Sequence, residues 1–139
     1  MTQHPMLLHR ASQGAAAGLL DETSELSFIL RPSPHDGVGV FCTHGITKGS
    51  RLRLFPGPAQ RIVPHENLAG NRLLEVFCRW YGLEDHRGCH VPRDFGYMEI
   101  GWYLNHSGTP NAYHDENFDY FASRDISPGD EITIDYQTL

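Results

Sequence analysis

"WYLNHSGTPN", Trp102 to Asn111, decides how this chain is read. Its aromatic start suits a β-strand, whereas Asn105, His106 and Ser107 carry groups that need hydrogen-bond partners once buried. Pro110 and Asn111 then punctuate the run as a turn does. One reading is a strand that simply ends in a turn. The other is a polar site built where a strand stops, and the rest of the chain has to choose between them.

The chain has 139 residues, 40% apolar and 20% charged, which suits one soluble globular domain. No apolar run approaches a membrane span, and "AAAGLLDETS" near the start lacks the basic head and long apolar centre of a signal peptide. An intracellular protein is expected, cytoplasmic or, in a eukaryote, nuclear, with no membrane partner. Cys42, Cys78 and Cys89 are too few for a disulfide framework or a four-thiolate zinc site. A formal charge of −6 argues against direct nucleic-acid binding, which needs a surplus of Lys and Arg. Acidic residues gather late, at Asp115, Glu116, Asp119, Asp125, Asp130, Glu131 and Asp135. Such a face suits a basic protein or peptide partner, and equally a solvated surface that keeps the chain soluble.

Residues 1–25 show no period and read as an N-terminal extension, so the domain is placed at 26–139. "LSFILR", Leu26 to Arg31, is β-prone and stopped by Pro32 and Pro34. Val38 to Cys42 and Leu52 to Phe55 are further short apolar pieces, separated by glycine-marked turns. From Asn67 to Tyr81 the period changes: Leu73, Val76, Phe77 and Trp80 would line one side of a helix, which predicts a helical insert at about 65–81. "GLEDHRGCHVPRD" reads as a loop and Tyr97 to Leu104 as a strand. Phe118 to Ala122 and Glu131 to Tyr136 follow as strands, joined through Ser127-Pro128-Gly129-Asp130, which suits a type II turn. The sum is a mainly β domain of many short strands with one helical insert.

Three pieces carry the chemistry. Gly37-Val38-Gly39 is weak alone, and no helix with a third glycine follows to make it a dinucleotide site. Asn105-His106-Ser107 with Pro110-Asn111 is more specific. Glu131-Ile132-Thr133-Ile134-Asp135-Tyr136, placed after Arg124-Asp125-Ile126 and Pro128-Gly129, is the third. In this order and spacing, over about residues 26 to 136, the chain resembles the SET domain of protein-lysine N-methyltransferases.

That resemblance implies a β-clip fold in which the Asn-His-Ser chain crosses the final segment in a pseudoknot, a threading that general topology rules disfavour. It implies S-adenosylmethionine as cofactor, leaving as S-adenosylhomocysteine, with a protein lysine as acceptor. A histone or a ribosomal protein would suit the charge. Gly37, Val38, Gly39, Asn105, His106 and Tyr136 become the cofactor-binding candidates, Gly37 and Gly39 because their main chain can approach closely. Tyr136 is the catalytic candidate, orienting the amine. Ser107 and Asn111 are expected to satisfy backbone groups at the crossing.

Phe55, Tyr103 and Ile134 are the substrate-channel candidates, and here the chain departs from the family. Phe55-Pro56-Gly57 stands where many members have Tyr-x-Gly, so one hydroxyl is missing and activity is put in question. Ile134 stands where Phe or Tyr is usual, which implies room for more than one methyl group; Tyr97 or Tyr103 are candidates to compensate for Phe55. Gly108 replaces a frequent zinc-ligand cysteine and the three residues after Tyr136 hold none, so no post-SET zinc segment and no metal are expected. A second subunit, as in a homodimer, the helical insert or the N-terminal extension would then close the lysine channel. The chain has nine histidines, and those other than His106, with His86-Arg87-Gly88-Cys89-His90 the densest group and His35 and His114 included, are read as exposed loop residues by default, because nothing brings a fourth ligand to a metal. The competing reading is a non-catalytic SET domain that binds a protein, separated from the first by S-adenosylhomocysteine binding.

Overall fold

The computed structural model describes residues 23–57 and 61–139. Most of the expected extension, residues 1–22, lies outside them. Thr23 is already docked: its hydroxyl donates to Arg51 O (2.8 Å) and accepts from Arg53 N (2.7 Å), ahead of the expected start at Leu26.

The first sheet grows from a hairpin. β1 (Phe28–Pro32) turns back through Gly37, at φ +47°, into β2 (Val38–Cys42), and Ser33 N donates to Gly37 O at 2.8 Å. β2 then pairs antiparallel with β10 (Glu131–Ile134), and β10 pairs in parallel with the two-residue β7 (Asn105–His106). Ile132, Thr133 and Ile134 are all buried because β10 lies between two neighbours. Thr133 sits opposite Asn105 and Ile134 opposite His106. Two stretches far apart in the chain therefore lie side by side, as the pseudoknot requires.

Asn111 fastens this crossing. Its amide donates to Glu131 O (2.8 Å) and its carbonyl oxygen accepts from Thr133 N (2.9 Å), so one side chain completes two backbone groups of β10. Ser107 contributes through its backbone, its N–H donating to Ile134 O at 2.9 Å, while its hydroxyl accepts locally from Thr109 N. The turn before β10 is of the expected kind, with Gly129 at φ +85° and Asp130 N donating to Ser127 O.

β3 (Arg51–Leu52), β9 (Tyr120–Ala122) and β8 (Ala112–His114) form the second sheet, with β9 central. Val40, Leu52, Leu54, Leu104, Ala122, Ile126, Ile132 and Ile134 belong to the core shared by these two sheets.

The insert is larger than its helices. β4 (Arg61–Val63), α1 (His65–Leu68), α2 (Arg72–Tyr81), β5 (Leu83–Asp85) and β6 (Gly88–Val91) pack on a separate small core of Leu68, Cys78, Cys89 and Val91. Four expectations are corrected here. The helix breaks at Gly70, φ +83°, and Asn71 caps α2 by accepting from Leu74 N (3.1 Å). Its inner line is Leu74, Phe77 and Cys78, whereas Leu73 and Trp80 are 85% and 71% exposed. The period was legible; its phase was one residue off. The stretch read as a loop holds the β5–β6 hairpin, paired Leu83 to His90 through Asp85 to Gly88. Finally, Tyr97 to Leu104 is not a strand: Ile100–Tyr103 is a turn of 3-10 helix, with Trp102 N donating to Glu99 O.

Candidate active site

Tyr136 follows β10 directly and opens a short 3-10 turn, Tyr136–Thr138. It is held at both ends by the segment that crosses β10. Its backbone N–H donates to His106 Nδ1 (3.0 Å), and its hydroxyl donates to Leu104 O (2.5 Å). With the amide as donor, His106 Nδ1 is the acceptor and the ring proton sits on Nε2. A phenol that donates to a carbonyl keeps its own lone pairs for an incoming N–H. Burial first, then the Asp36 and Glu131 carboxylates, push the Tyr136 phenol above its usual value, so it stays neutral through the physiological range.

Asn105 links the remaining cofactor-binding candidates. Its side-chain N–H groups face Asp36 O (3.1 Å), Val38 O (3.0 Å) and Glu131 Oε2 (2.9 Å). Gly37, Val38 and Gly39 are thereby brought beside Asn105, His106 and Tyr136. The reason for Gly39 differs from the expected one. A Cβ there would overlap the Glu131 carboxylate, itself held by Ser33 Oγ at 2.7 Å, so the glycine makes room for a side chain of this protein. Gly37 is open on its Cβ side and is set by its positive φ.

Beside Tyr136 lies a cleft of about 260 Å³, walled by Phe55, Tyr81, Trp102, Leu104, Tyr120 and Ile134 among others. Phe55 is placed by Gly101, where a Cβ would overlap its ring, and by an edge contact with Trp102 at 5.6 Å. Two of the three channel candidates, Phe55 and Ile134, thus reach the cleft. Tyr103 does not: its hydroxyl faces Met98 Sδ (3.7 Å) and its ring meets Tyr81 at 5.9 Å. Tyr97 is exposed and lines a different hollow, with Ser24, Phe28 and Met98. Tyr120, Trp102 and Tyr81 were not anticipated. Alternation along β9 signals that Tyr120 points inward, but no local pattern says that inward means the cleft.

The histidines sort differently from a uniform exposed set. His90 Nε2 pairs with Asp85 at 2.6 Å, and this contact, ahead of Arg87, holds the Asp85 carboxyl well below the usual range. His114 is half-buried, its nitrogens directed at Asp115 O and Thr138 O. Among the described residues no three His, Cys, Asp or Glu come together as a metal site.

A family model of the SET domain matches residues 37–137. The chain belongs to the SET domain family. This places it among methyltransferases and makes the crossing of β7 and β10 the β-clip pseudoknot of that fold. Among solved structures this SET domain is similar to a Plasmodium falciparum protein described as a candidate histone methyltransferase, at 24% identity and a TM-score of 0.54, over 81% of this chain and 95% of the other. At that identity the likeness speaks for the fold. No protein of curated function matches the sequence.

The residues of this SET domain fit the cofactor that its family uses. S-adenosylmethionine carries a sulfonium and an ammonium, and the carboxylates of Asp36 and Glu131 make the field at Tyr136 negative. Asn105 Oδ1 meets no donor among the described residues and is free to accept one.

Proposed function

We propose that this SET domain transfers a methyl group from S-adenosylmethionine to a lysine side chain of a basic protein. The observation that carries the reading is Tyr136, pinned through its backbone to His106 and through its hydroxyl to Leu104 O, at the wall of an aromatic cleft.

Lysine in water has a pKa near ~10.4, so its reactive neutral form is scarce at pH 7. Aromatic and aliphatic walls disfavour the ammonium and favour loss of its proton to water. The Tyr136 oxygen then accepts one amine N–H and fixes the direction of the nitrogen lone pair, a positioning effect of the kind that lowers barriers most. Gly37 to Gly39 and Asn105-His106 would hold the cofactor, with Asn105 Oδ1 accepting from its ammonium. When bound, the cofactor supplies an activated methyl: the amine lone pair makes the N–C bond while the C–S electron pair stays on sulfur. The formal charge of −6 supports a basic substrate.

The test is calorimetry with S-adenosylhomocysteine followed by a transfer assay on basic proteins, wild type against Tyr136→Phe. Binding in both, with a rate lowered about 100-fold in the variant, is expected. Equal rates would remove Tyr136 from the chemistry. No cofactor binding would favour the second reading, a non-catalytic protein-binding module, for which the missing hydroxyl of Phe55 is the favouring observation.

A further inference from the structure

Cys78 and Cys89 carry two sulfurs that the methyl-transfer site does not use. Both are free thiols, each 2% exposed, and with Leu68 and Val91 they are the buried residues of the satellite core. Cys78 sits in the last turn of α2 and Cys89 in β6, so the pair spans that core from helix to hairpin. Cys89 Sγ faces Cys78 O at 3.5 Å, and the two thiols interact. Gly82 leaves the room for this contact: a Cβ there would overlap both Cys89 Sγ and Cys78 O.

The pair is not sealed. A cavity of about 400 Å³ lies against both cysteines, and its walls include the exposed His65 and Glu84, so small solutes can come up to the sulfurs. Cys42 is the contrast: it belongs to the main core, where its thiol donates to Ser127 O at 3.0 Å. Burial first, then the Cys78 thiol beside it, pushes Cys89 well above its usual value, so the closed insert holds Cys89 as an unreactive thiol. A core of four buried side chains opens locally, and an opened pair regains water and thiolate character. Reaction then follows opening.

We propose that Cys78 and Cys89 form a redox-sensitive modification site that closes to an intramolecular disulfide when a peroxide reaches it. One thiolate attacks the peroxide O–O bond and becomes a sulfenic acid, while the departing hydroxide takes up a proton as water. The second thiol displaces the sulfenic hydroxyl as another water, and the S–S bond forms. Two electrons and two hydrogens leave the thiols; the peroxide is reduced. A thiol reductant reverses the bridge. The bridge ties α2 to β6, the elements that opening separates. It thereby also holds Tyr81, Gly82 and Leu83, which follow Cys78 closely and wall the Tyr136 cleft. The site operates whether or not the cleft transfers methyl groups.

The experiment treats the full chain with hydrogen peroxide, blocks the remaining thiols with N-ethylmaleimide under denaturing conditions and maps tryptic peptides by mass spectrometry. Cys78 falls in Leu73–Arg79 and Cys89 in Gly88–Arg93. A species joining these two peptides is expected, from a chain of unchanged mass class, with Cys42 alkylated and both bridged thiols restored by dithiothreitol. The oxidised chain is expected to melt several degrees higher and to gain at least about 10-fold hydrogen-exchange protection in α2, β5 and β6, with β2 and β10 unchanged. Cys78→Ala and Cys89→Ala are each expected to abolish these gains. Either substitution leaves a hole in a small core, so the wild-type map decides by itself. Alkylation of all three cysteines after peroxide, a bridge to Cys42, cross-linked dimers, or oxidation past the disulfide at Cys78 or Cys89 would overturn the site. A bridge with no gain in melting temperature or protection would overturn its hold on the insert.

Discussion

Glu131 shows how one carboxylate dictates several neighbours. It is nearly enclosed, with 8% of its side chain exposed, and it is satisfied by Ser33 Oγ and Asn105 Nδ2. Position 39 therefore has no space for a β-carbon. Gly39→Ala is expected to destabilise the protein by roughly 1–3 kcal/mol, read as a fall of several degrees in melting temperature, and to weaken S-adenosylhomocysteine binding by displacing Asn105. That Gly39 and Asn105 lie together was legible from the order and spacing of the three motifs, since Gly37-Val38-Gly39 is weak alone. Their individual tasks were not, since a motif says which residues gather and not which atoms remain free for a ligand. Asn105 spends its amide hydrogens on the protein and keeps one oxygen, a division that only coordinates reveal.

At the scale of elements, the crossing depends on Asn111 more than on the two-residue β7. Asn111→Ala leaves the buried Thr133 N–H without its acceptor and Glu131 O without its donor. A cost of roughly 2–4 kcal/mol is expected, together with loss of hydrogen-exchange protection at Thr133, checked by urea denaturation and NMR. The strands flanking this crossing were readable because β2 is an apolar run and β10 alternates Glu131 and Thr133 with Ile132 and Ile134, each bounded by turn residues. What preceded it was not. Tyr97, Trp102 and Tyr103 are strand-formers by composition, yet Gly101 accepts the Phe55 ring and Gly101 N donates to Leu54 O, and these tertiary contacts favour a 3-10 turn. The β5–β6 hairpin escaped notice because strands of three and four residues are too short to display a period. In α2, adjacent Leu73 and Leu74 made the phase ambiguous, and Cys78 decided it by packing against Cys89 and Val91.

The whole molecule has a main core and a satellite in the insert. They are joined by a succession of rings, Phe95 to Phe77 (4.5 Å), Phe77 to Tyr81 (5.0 Å) and Tyr81 to Tyr103 (5.9 Å), which leads to the turn that delivers Asn105. The satellite is small and α2 exposes Leu73 and Trp80, so residues 61–91 are expected to open without the rest. Hydrogen exchange followed by mass spectrometry should show at least about 10-fold less protection in β5, β6 and α2 than in β2 and β10. Uniform protection would mean that the rings weld both cores into one cooperative unit. β10 has a further consequence for how the protein comes to exist. Among the described residues it is the only strand paired with β7, and it is also the second neighbour of β2 and the strand that Asn111 brackets, so a ribosome must release it before the first sheet can close. A chain cut short ahead of Glu131 would therefore meet the proteases with its first sheet unclosed, and no folded decoy would be left to compete for substrate.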